Sequence, residues 1–121
     1  MYSSSDWRKA LTKLLELTSL SEIKWEPSDI SASEEHRQVV GAFEVKYSER
    51  TFVITQLKYQ SYLDETEWFW ETEYDLGIYE PAFSGMRRIA TAPNILTLSS
   101  LYSAAEDSYA YSKNALAGLL S

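Results

Sequence analysis

Glu71, Glu73 and Asp75 stand at alternate positions in the run LDETEWFWETEYDLGIYE, which spans residues 63–80. Carboxylate oxygens at such a spacing suggest two chemistries: a site for a hard cation, or paired acid and base groups. Neither is expected here. On a strand, alternate side chains share a face but lie roughly 6.8 Å apart along the chain, too far for one ion to gather all three. Acid–base work needs surroundings that separate two pKa values, and the run shows no such environment. Other reactive types are scarce. His36 is the single histidine, set between Glu35 and Arg37, so any Ser-His-Asp arrangement would have to be built around it. There is no cysteine, which excludes a thiolate zinc site, a cysteine nucleophile and a disulfide framework. Gly41, Gly77, Gly85 and Gly118 are scattered and form no phosphate-binding loop. No catalytic residue, metal or cofactor is expected, and the chain reads as a non-enzyme.

Charge says more. The net charge is -7, from 18 acidic and 11 basic residues. Asp64, Glu65, Glu67, Glu71, Glu73, Asp75 and Glu80 fall between Tyr59 and Met86, a stretch without lysine or arginine. Elsewhere acids and bases balance, so the whole excess lies in one segment. Nucleic-acid binding requires a basic stripe against the phosphates, and none is visible. Anionic membranes are disfavoured for the same reason, and no apolar run approaches the roughly 18 residues that span a bilayer. A basic protein partner fits. One sharper pattern is outweighed by its surroundings. Asp29 with Glu44-x-Lys46, and Glu16 upstream, resembles the Mg²⁺-binding signature of restriction-type nucleases, where carboxylates hold the ion and a lysine stabilises developing charge. The residues after Lys46 read as a hairpin return, where that fold places a helix, and the acid-x-lysine triplet is common by chance.

The elements that must position these residues follow from periodicity. Ser3-x-x-Asp6 suggests a capping box, and Trp7, Ala10, Leu11, Leu14 and Leu15 keep helical spacing through about Leu17. Ser21 to Pro27 reads as a short strand with Ile23 and Trp25 on one side, and Ser28 to His36 as a polar loop. Val39, Gly41, Phe43, Val45 and Tyr47 alternate, Ser48-Glu49-Arg50 turns the chain, and Thr51 to Tyr59 returns. The return strand is apolar on both sides, as expected of a central strand covered on two faces. Next, the period of two separates Trp68, Trp70, Tyr74, Leu76 and Ile78, expected in the core, from Glu71, Glu73 and Asp75. Pro81 to Pro93 reads as a loop, with Met86 to Thr91 available as a further edge strand. Asn94 or Thr97 then caps a long helix carried by Leu98, Leu101, Tyr102, Ala105, Tyr109, Leu116 and Leu119.

The expected architecture is α+β: an N-terminal helix, an antiparallel sheet of three to five strands, and a long C-terminal helix packed on one face. With 121 residues and no linker, residues 1–121 form one domain. The opening MYSSSDWRKAL lacks the layout of a secretory signal, so a cytoplasmic location is expected.

Leu14-Leu15, Thr18, Ile23-x-Trp25, Phe43, Leu76-x-Ile78 and Leu98-x-x-Leu101-Tyr102 together resemble a recurrent type of small bacterial protein with a helix–sheet–helix layout and no assigned activity. The resemblance covers most of the chain through core positions, implies the same architecture, and carries over no site residue. The acidic segment around Asp64 and Trp68 departs from it as an insertion. Two functions remain. One is an acidic protein-binding module, such as an inhibitor or immunity-type protein, docking a strand face made of Glu65, Glu67, Phe69, Glu71, Glu73, Asp75 and Tyr79 on a basic partner. The alternative is a self-associating homodimer subunit, with Phe69, Tyr79 and tyrosines such as Tyr109 or Tyr111 at the seam.

Overall fold

Ser3 opens the first helix through the expected reciprocal bonds. Its Oγ accepts from the Asp6 N–H at 3.1 Å, and the Asp6 carboxylate accepts the Ser3 N–H at 2.9 Å. The helix, α1, runs Ser4–Ser19 and buries Leu11, Leu14, Leu17 and Thr18. The computed structural model describes residues 1–120. After α1 come β1 (Glu26–Pro27), β2 (Arg37–Tyr47), β3 (Arg50–Tyr62), β4 (Trp68–Ala82), β5 (Gly85–Thr91), α2 (Thr97–Ser112) and α3 (Ala117–Leu120). The strands pair in chain order, all antiparallel, as an α+β meander. Ser48 and Glu49 link β2 to β3 with φ of 51° and 65°, the left-handed pair that a two-residue turn between twisted strands requires.

The main core lies between the helices and one face of the sheet. Phe43, Val45, Ile54 and Leu76 meet Leu98, Leu101, Tyr102 and Ala105 of α2 and the buried leucines of α1. At roughly 1.5–3 kcal/mol for each fully buried aliphatic or aromatic side chain, this layer supplies the main favourable term. α2 rests on the sheet. The Tyr102 ring meets Phe43 at 5.6 Å and Tyr74 at 5.7 Å between centroids. Gly41 admits that ring, because a Cβ there would overlap the Tyr102 hydroxyl. Trp25 closes the core beside α1: its Nε1–H donates to Thr18 Oγ1 at 2.8 Å, and the Thr18 hydroxyl donates on to the Leu14 carbonyl at 2.6 Å.

The opposite face is covered in part by the loop before β2. Ile30 packs against a small cluster of Ala42, Val53 and Tyr79, and Ser31 Oγ lies 3.0 Å from Thr55 Oγ1. β3 is therefore central and buried on both sides, as its composition predicts.

Four expectations change. The strand expected from Ser21 shrinks to Glu26–Pro27, because Ser21 sits at φ 57° and only those two residues reach the β2 ladder; Ile23 and Trp25 are nonetheless buried. Pro81 to Pro93 is not one loop: β4 continues to Ala82, turns through Phe83 and Ser84, and returns from Gly85 at φ 126° as β5, the edge strand that Met86 to Thr91 offered. Neither Asn94 nor Thr97 caps α2; Leu96 holds the N-cap position without a side-chain bond. Finally, α2 is 16 residues and stops at Ser112, since Asn114 at φ 56° breaks it before the short, exposed α3.

Candidate docking surface on the β3–β4 hairpin

Length decides what the helices can cover. β4 has 15 residues and extends about 50 Å at strand rise. α2 has 16 and extends about 24 Å at helical rise. A strand this long outruns the helix packed on it, and the β3–β4 hairpin projects beyond the core at its turn end, where Tyr62 pairs with Trp68 and Gln60 with Trp70.

The alternation expected along β4 holds, but burial along it does not. Tyr74 and Leu76 lie under α2. Trp68 and Trp70, expected in the core from the same parity, are 45% and 38% exposed because they lie past the helices. Their rings are perpendicular, 86° apart in plane with centroids 5.3 Å apart, and the Lys58 ammonium lies 4.7 Å from the Trp70 ring centre. Tyr79 errs in the other direction. Expected outward beside the acids, it is 7% exposed, held between the Ile30–Val53 cluster and Arg88. Phe69 is exposed as expected, at 42%.

The carboxylates in the middle of β4 have partners within the chain. Tyr59 donates its hydroxyl to Glu71, a bond that, with desolvation and the nearby negative charge, holds the phenol above its ordinary pKa. Arg37 donates to Glu73 at 3.2 Å. Arg88 donates to Asp75 at 2.8 and 3.2 Å, to the Tyr79 hydroxyl at 2.7 and 3.0 Å, and to Thr91 at 3.0 Å. These bonds raise the guanidinium pKa further, the Asp75 bond most, so Arg88 stays charged throughout. On the helix side, Glu80 receives Arg87 at 2.6 Å and lies 3.9 Å from Arg50; the Arg87 bond is the main cause of its lowered pKa. The partners come from β2, β3 and β5, which explains why a count along β4 alone finds only acid.

The hairpin turn differs. Asp64 accepts the backbone N–H groups of Thr66 and Glu67 at 2.8 and 2.9 Å, which shape the turn and lower its pKa. Glu65 and Glu67 are exposed and, among the described residues, have no cationic side chain within ion-pair distance. Together, Tyr62, Leu63, Trp68, Phe69 and Trp70 form an exposed apolar end beside these two acids. Trp68, Trp70, Tyr62 and Leu63 were not among the expected site residues. The signal available for them was the length of the alternating run, which exceeds what a helix can shield.

His36 lies on the flank of this end, its Nδ1 2.9 Å from Gln60 Oε1, which also accepts from the Tyr62 hydroxyl at 2.8 Å. Among the described residues, no group of three or more His, Cys, Asp or Glu side chains could hold a metal ion. Among the described residues, no helix is long and apolar enough to cross a membrane. A groove of about 790 Å³ lies between Arg8, Thr72, Tyr74 and the start of α2, away from the hairpin turn. No protein-family model, curated protein or solved structure matches this chain.

Proposed function

We propose that this chain is a non-enzymatic protein-binding module, of an inhibitor or immunity type, that docks the projecting end of its β3–β4 hairpin on a basic protein partner in the cytoplasm. The observation that carries the reading is the exposed cluster Tyr62, Leu63, Trp68, Phe69 and Trp70 beside the uncompensated Glu65 and Glu67. Large rings make strong anchors when a partner desolvates them, while unpaired carboxylates speed the approach of a cationic surface. Of the acidic face expected from the sequence, Glu65, Glu67 and Phe69 remain in the docking element. Glu71, Glu73, Asp75 and Tyr79 serve its rigidity through their bonds within the sheet.

A titration of the protein with a fluorescent ten-residue arginine peptide tests this. The expected outcome is binding that weakens with salt and falls in the double variant Glu65→Gln, Glu67→Gln and in Phe69→Ser. Absence of binding to the wild type, or equal binding by all three proteins, overturns it.

A second reading is favoured by one observation at the other end of the chain. Tyr111, Leu116, Leu119 and Leu120 are exposed around α3, an apolar patch suited to a homodimer seam. Tyr79 is buried and the half-buried Tyr109 packs on Phe43 at 5.8 Å, so the patch rests on Tyr111 and the leucines. Sedimentation velocity distinguishes the two, since a dimer lost in Leu119→Ser supports the seam and a monomer removes it.

A further inference from the structure

Lys58 is the cation nearest the hairpin end on its own strand, and among the described residues it has no carboxylate within ion-pair distance. Its ammonium instead lies 4.7 Å from the Trp70 ring centre, across the ladder from a diagonal position. Tryptophan is the aromatic ring with the strongest pull on a cation, through the negative face of its π-system. Trp68 stands perpendicular to Trp70 at 5.3 Å, so the two rings form a corner that is open to solvent past the helices.

We infer that the Trp68–Trp70 corner is a seat for a cationic side chain of the partner, arginine above all, and that Lys58 occupies the seat in the free protein. This rests on the binding-module reading and specifies its contact. An ammonium on a flexible stem is strongly hydrated, so leaving the ring for water is easy for Lys58. A guanidinium is planar, weakly hydrated and stacks on aromatic faces, so it gains more from the same seat. Glu65 and Glu67 at the turn add charge complementarity to the approach. Lys58 thus competes with the partner: it shields the rings while the site is empty and lowers affinity for weak cations.

The same arginine peptide tests the seat, measured by anisotropy at about 0.15 M salt, where exposed charges more than roughly 8 Å apart are screened. Lys58→Met removes the competitor and is expected to tighten binding about three- to ten-fold. Lys46→Met makes the same change in charge at the far end of β2 and is expected to change affinity less than about two-fold. Trp70→Leu removes the seat and is expected to weaken binding about three- to thirty-fold. Equal tightening by the two lysine variants overturns the inference, as does unchanged affinity in Trp70→Leu. Should Trp70→Leu fail to fold, the comparison of the lysine variants decides alone. Binding that depends on Glu65 and Glu67 but not on Trp70 removes the seat and leaves the module reading intact. A wild-type protein that ignores the peptide removes both.

Discussion

Arg88 reaches Asp75 by passing over Gly77. Its guanidinium atoms lie 2.7–2.9 Å from where a Cβ on Gly77 would stand, and its bonds to Asp75 and Tyr79 flank that glycine on the strand. The absent side chain is what lets the ion pair form. Gly77→Ala should displace the guanidinium and destabilise the protein by about 1–3 kcal/mol, as should Arg88→Met, which leaves Asp75 half-buried without its partner. Urea unfolding of the two single variants and the double variant checks this. The double variant should lose clearly less than the sum, because both changes act on one contact.

Gly41 and Tyr102 make a second such pair across the helix–sheet layer. Gly41→Ala should cost about 1–3 kcal/mol by forcing Tyr102 off Phe43 and Tyr74. Tyr102→Phe removes the hydroxyl that the new methyl would strike, so the double variant should recover part of the loss. Thermal unfolding of the four proteins reads the rescue; strict additivity would place the collision elsewhere.

Tryptophan exposure divides the four rings. Trp25 is buried and bonded to Thr18, so Trp25→Ala should cost about 3–5 kcal/mol. Trp68→Ser should change stability by less than about 0.5–1 kcal/mol, since little packing is lost. Acrylamide quenching should reach Trp68 and Trp70 readily and Trp25 hardly at all, which single-tryptophan variants would resolve.

The pH dependence has opposite signs at the two extremes. Glu80 is held below the ordinary glutamate value of 4.5 chiefly by its bond from Arg87, so its contribution is present above that value and is lost as pH falls through the lowered one. Glu80→Gln should flatten the acid limb of a stability profile. Tyr59 is held above the ordinary 10.0 by its bond to Glu71, so its contribution is full below that value and is lost as pH climbs through the raised one. Tyr59→Phe should flatten the alkaline limb. Unfolding midpoints measured at low salt across both limbs check the pair.

Much of this fold was legible locally. The Ser3–Asp6 cap, the apolar face of α1, the β2–β3 turn and the alternation of β4 all depend on neighbours within a few residues. What was not legible depends on partners far along the chain. Trp70 and Tyr74 have the same parity and similar bulk, and only the reach of α2 separates an exposed ring from one packed on the core. Glu73 and Asp75 look uncompensated until β2 and β5 bring Arg37 and Arg88 beside them. Tyr79 looks outward until Ile30, from a loop of polar composition, folds over it. The end of α2 was missed because Asn114 in a left-handed conformation interrupts a spacing that Leu116 and Leu119 continue.

The overhang of β3 and β4 separates its tip from the strands that anchor it. Trp68, Phe69 and Trp70 at its tip are exposed, whereas the bonds of Glu73, Asp75 and Arg88 anchor the strands behind it. Such an end behaves as an interchangeable tip on a fixed handle. On the binding-module proposal, residues between Ser61 and Trp70 can be exchanged to suit another partner while the sheet beneath keeps its register.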